Sequence, residues 1–91
     1  IMSKTKTTGK LLTRQQHITI IRELKNSDQG LTSLDFRFLF SIIDPPARVC
    51  ELKTLGYLFH TTYGNELDHL GQAHERVARY FLISEPKQVA A

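Results

Sequence analysis

Tryptophan is missing from the chain, cysteine and methionine occur once each, and proline occurs three times. No apolar run approaches the roughly 18 residues that a bilayer-spanning helix needs, and no basic, apolar and small-residue leader opens the sequence. No membrane partner is therefore expected, and a cytoplasmic location is. The lone Cys50 excludes an internal disulfide and agrees with a reducing compartment. Paired-ligand spacings such as C-x-x-C or H-x-x-x-H are absent as well: His69 and His74 stand five apart, with His60 and Cys50 elsewhere, so no metal is expected. Catalysis lacks its parts too. Cys50 and His60 have no third orienting group and no oxyanion-forming glycine loop, so neither an enzyme nor a cofactor is expected.

What is present suits one small globular domain. The chain has 91 residues, 41% hydrophobic and 23% charged, with room for a single core. Ile1, ahead of Met2, is expected to be extraneous. The net charge of +3 is unevenly placed: Lys4, Lys6, Lys10 and Arg14 give the first 14 residues +4, and the remainder sums to −1. Residues 1–12 lack periodicity and read as a flexible basic arm. Such an arm suits phosphates or a minor groove; the alternative is a solubilising terminus.

Periodicity organises residues 13–84, with 85–91 as a tail. Thr13 and Gln16 have capping-box spacing, and Ile18, Ile21 and Leu24 recur at helical intervals, so a first helix is expected from Thr13 to the "NSDQG" turn. Ile20 points off that stripe, either beneath another element or into a dimer contact. Thr32 with Asp35 three residues on opens a second helix whose phenylalanines are read as core. Asp44 then precedes Pro45 and Pro46. Proline costs no hydrogen bond in a first turn, and Gly56 suits a left-handed stop, so the third helix spans about 45–55 with Val49, Leu52 and Leu55 as its apolar stripe. Beyond Gly56 the period becomes two, in "YLFHTTY" and "RVARYFLI", separated by a long polar loop in which Leu67 and Leu70 are expected to tuck against the body.

Three helices followed by a hairpin, the last two helices joined by only "SIID", is the order of a winged helix-turn-helix: mainly α, with a two- or three-stranded wing. The segment "LTSLDFRFLFSIIDPPARVCELKTLGYLF", continuing to "ARYFLI", also resembles the small helix-turn-helix domains of bacteriophage and prophage genomes. The likeness covers about residues 13–83. It implies binding to double-stranded DNA in a bacterial or phage-infected cell, with the third helix in the major groove and the wing on flanking phosphates or a minor groove.

Side chains near the start of a groove-bound helix reach base edges. Ala47, Arg48, Glu51 and Thr54 are the candidates: Arg48 for guanine, Glu51 for a cytosine amino group and Ala47 for a thymine methyl. Lys53 suits a phosphate. The alternatives are internal pairing for Arg48 with a carboxylate, and for Glu51 with Arg48 or Lys53. Ser33 and Arg37 on the second helix, and His69, His74 and Arg76 on the wing, are phosphate candidates against capping or solvated roles. A homodimer reading two half-sites is expected of such a small protein. The rival from another class is a winged helix that grips a protein instead of DNA, as an antirepressor or assembly adaptor would.

Overall fold

Helix α1 spans Gly9–Lys25 in the computed structural model, which describes the backbone of residues 9–87 and the side chains of residues 13–87. The helix starts four residues ahead of Thr13, so the capping box expected at Thr13 and Gln16 does not form. Thr13 lies a full turn inside the helix, where the backbone N–H groups already have intrahelical partners. Lys4 and Lys6 lie outside the described residues. Lys10 falls within α1, which shortens the expected arm.

The buried face of α1 also differs from the expected stripe. Ile20 is fully buried and Leu24 nearly so, whereas Ile18 is 55% exposed. The inward face continues through half-buried Gln16 and His17, polar residues that a search for apolar spacing passes over. Ile20 is thus covered by other elements of the same chain.

A two-residue strand, β1 (Leu31–Thr32), follows and leads directly into α2 (Ser33–Phe40). Thr32 serves both elements. It pairs with Arg79 in the sheet, and its Oγ1 accepts the Asp35 N–H at 3.0 Å while the Asp35 carboxylate accepts the Thr32 N–H at 2.9 Å. The expected N-cap at Thr32 thus forms, and the reciprocal bond from Asp35 makes it a capping box. Phe36 is completely buried and Phe40 partly so; Phe38 is 54% exposed, so the expectation that all three pack inward fails at Phe38.

Ser41, in the left-handed conformation, ends α2, and Ile42 drops into the core beneath the turn. Helix α3 spans Pro45–Thr54, with the Asp44 side chain accepting the Ala47 N–H at 3.3 Å and the prolines in the first turn. Its end is a Schellman closure: the Gly56 N–H reaches the Lys53 carbonyl, and the Tyr57 N–H reaches that of Leu52. Val49 and Leu52 are buried, but Leu55 is 58% exposed and not part of the core stripe.

Strands β2 (Leu58–Leu67) and β3 (Ala73–Ser84) pair antiparallel, and β3 is central in the order β1-β3-β2. The polar segment expected as a long loop is mostly strand: Glu66 pairs with His74 and Leu67 with Ala73. Backbone pairing in a two-stranded ribbon needs no apolar alternation, which is why the polar sequence hid it. Leu67 and Leu70 are exposed rather than tucked against the body.

The core joins Ile20, Leu24, Phe36, Ile42, Val49 and Leu52 to Ala78 and Tyr80 of β3. Gly30 sets the approach of β1. Its φ is +74°, and a Cβ there would stand 2.6 Å from the Tyr80 carbonyl oxygen and 2.8 Å from the Phe81 ring. Gly30→Ala is therefore expected to cost about 2–3 kcal/mol, combining left-handed strain with a clash against backbone. Urea unfolding measures this; an unchanged midpoint would contradict the close packing of β1 on β3.

Candidate nucleic-acid interface

The short turn 41–44 sets α3 after α2, with Val49 and Leu52 facing the core. At about 100° per residue, the opposite face carries Ala47, Cys50 and Thr54, flanked by Pro46 and Lys53. Pro46, Cys50, Lys53 and Thr54 are exposed and Ala47 is half-buried. The Thr54 hydroxyl donates to the Glu51 carbonyl at 2.7 Å, turning its oxygen lone pairs outward as acceptors. Cys50 was passed over as a candidate in the sequence, although its spacing from Ala47 and Thr54 already puts it on their face.

Arg48 and Glu51 are engaged elsewhere. Arg48 Nη2 donates to Glu51 Oε2 at 2.7 Å and Nη1 reaches Gln16 Oε1 at 3.5 Å, while His17 Nε2 bonds Glu51 Oε1 at 2.8 Å. Both residues thus tie α3 to α1, and internal pairing is the alternative that the structure adopts. The hydrogen bond from His17, then that from Arg48, holds the Glu51 carboxyl below its ordinary range. Among the described residues the buried Arg48 Nε has no partner. Truncating Arg48 loses the short bond to Glu51 and the long one to Gln16 but also relieves that orphaned donor, and Glu51 keeps His17. Arg48→Ala is therefore expected to cost only about 1–2 kcal/mol, seen as a lower melting temperature, while duplex affinity measured well below melting changes little. Loss of base preference without loss of stability would return Arg48 to the groove.

The wing is pinned at both ends of its turn. The Asp68 carboxylate accepts the Leu70 and Gln72 N–H groups at 2.9 and 2.8 Å and pairs with His74 at 2.8 Å. These bonds, His74 first, depress the Asp68 carboxyl below its usual range. His69 packs against Phe38 with the rings tilted, 5.6 Å between centroids, and lies 3.4 Å from Asp35. Both histidines thereby serve the wing's own shape. The contacts to Asp35 and Phe38 were not legible in the sequence, because nothing local signals that the wing tip returns to α2.

Arg76 stands apart from these. The register slips between Gly64 and Glu66, leaving a bulge on β3, and there Arg76 adopts φ +56° and is exposed. A glycine would occupy that conformation with less strain. Among the described residues Arg37, Lys53 and Arg76 make no ion pair. Ser33, half-buried at the start of α2, lies two residues from the Asp35 carboxylate, which opposes a phosphate there.

A helix pair with a three-stranded sheet and a projecting hairpin is the geometry that a sequence comparison then identifies: the profile of the winged helix-turn-helix domain matches residues 15–85. The chain belongs to the winged helix-turn-helix family. No curated protein and no solved structure matches it. Membership points to DNA as the general partner, and the β2–β3 hairpin is the wing of this winged helix. Among the described residues no cluster of potential metal ligands occurs, and no helix is long and apolar enough to cross a membrane.

Proposed function

We propose that this winged helix binds double-stranded DNA as a regulator, or as a recombination or replication accessory factor, of phage or mobile-element type. In this reading α3 enters the major groove with Ala47, Cys50 and Thr54 foremost. Lys53 meets a phosphate beside the groove, and Arg76 meets one from the wing. The observation that carries the reading is the outward face of α3, where Pro46, Cys50, Lys53 and Thr54 are exposed and Ala47 is half-buried, while Arg48 and Glu51 are occupied with α1. Base discrimination then rests on small groups: a methyl at Ala47, a thiol at Cys50 and a hydroxyl at Thr54. Such contacts distinguish thymine methyls and single acceptors better than they distinguish guanine. A-T-rich sites follow as the preferred class, with Lys53 and Arg76 supplying affinity that is independent of sequence.

The assay is selection of bound fragments from random duplex DNA, followed by salt titration. A palindromic consensus would establish a pair of copies on two half-sites. Affinity should fall with salt at a log–log slope of about −0.9 per neutralised phosphate. One observation favours the second reading, a protein-gripping winged helix: the outward face of α3 carries Lys53 as its sole cation. Absence of duplex binding near physiological salt would select that reading.

A further inference from the structure

A groove of about 690 Å³, lined in part by Tyr57, opens between α1 and the C-terminal end of α3. Its floor is apolar, made by Ile18, Ile21, Leu52 and Leu55, of which Ile18 and Leu55 are 55% and 58% exposed. Its rim carries Arg14, Arg22 and Lys25, and among the described residues no carboxylate lines it. Arg22 does pair with Glu23 and Lys25 with Glu85. Both cations are 55% exposed, and surface pairs of that kind contribute about 1 kcal/mol or less, so they exchange readily for a partner's carboxylates.

We propose that this groove is a docking site for an acidic amphipathic helix of a partner protein, its apolar stripe on Ile18, Ile21 and Leu55 and its carboxylates on Arg14, Arg22 and Lys25. Charge selects that occupant. A second copy of the same groove would set three cations against three, and a nucleic-acid backbone would leave the apolar floor uncovered. The groove lies on the α1 side of α3, away from Ala47, Cys50 and Thr54, so it stays open whether or not the outward face holds DNA. The proposal does not depend on DNA binding.

The test uses the full, isotope-labelled chain and a synthetic helical peptide of about 15 residues, with leucines at i, i+3, i+4 and i+7 spacing and flanking glutamates. The expected result is saturable shifts at Ile18, Ile21, Leu55 and Tyr57, and no binding when lysines replace the glutamates. Ile18→Glu should weaken binding by about tenfold or more, equivalent to about 1.4 kcal/mol, with an unchanged circular dichroism spectrum because Ile18 is largely outside the core. Leu55→Glu, at the other wall, should do the same. Absence of shifts, an equal response to the lysine peptide, shifts at the same residues with duplex DNA, or sedimentation as a dimer that buries Ile18 would each overturn the assignment.

Discussion

Phe36→Ala is expected to remove about 3–5 kcal/mol of stability, a large share of the roughly 5–15 kcal/mol available to a small domain. Phe36 has no solvent exposure, and its ring packs 6.1 Å from that of Phe40 and 6.3 Å from that of Tyr80. It therefore joins α2 to the central strand within the same cluster that holds Ile20 of α1 and Val49 of α3. Its loss leaves a cavity that backbone already paired in helix and sheet cannot collapse to fill. Phe38→Ala, two residues along the same helix and half exposed, should cost about 1 kcal/mol or less, mostly through its tilted contact with His69. Urea unfolding of both variants checks the contrast. Equal losses would mean that α2 is rotated from the orientation described.

Charge reversal at Lys53 and Arg76 together is expected to weaken duplex binding about a hundredfold or more at low salt. Each charge-assisted contact contributes about 1.5 kcal/mol at the lower end of its range, and a reversed charge adds repulsion; two such losses exceed 2.7 kcal/mol, which corresponds to a hundredfold. The salt slope should also flatten by about 0.9 for each lost phosphate contact. Neither residue has an ion-pair partner among the described residues, so the folded state loses no pairing. Arg76→Gly separates binding from folding within one variant. It relieves a φ of +56°, so stability should hold or rise while duplex affinity falls. An Arg76→Gly protein that binds duplexes as tightly as the parent would remove the wing from the interface.

Local chemistry announced α2 and α3 well. Thr32 with Asp35, Asp44 with Pro45, and Gly56 each act within a few residues, and each forms the cap or stop that its type implies. The failures share another cause. Gln16 and His17 face inward because Arg48 and Glu51 meet them from more than thirty residues away, so the apolar count along α1, right at Ile21 and Leu24, put Ile18 inside and Ile20 outside when the reverse holds. Strand β1 is two residues long and exists only through its pairing with Arg79 and Tyr80. The outer halves of β2 and β3 are polar because neither face of that ribbon packs on the core. In the candidate interface, spacing correctly brought Ala47, Lys53 and Thr54 to the surface of α3. It also nominated Arg48 and Glu51, whose charges suit a groove but whose positions on the helix face α1.

Cys50 offers the most direct test, because the sequence holds no other thiol and this one lies exposed on the outward face of α3. Its alkylation rate should be measured with and without saturating duplex DNA, using fragments recovered by selection. The rate should fall by about tenfold or more when the helix is seated in the groove. An unchanged rate on a protein fully bound to duplex would contradict the assignment of α3 as the reading helix.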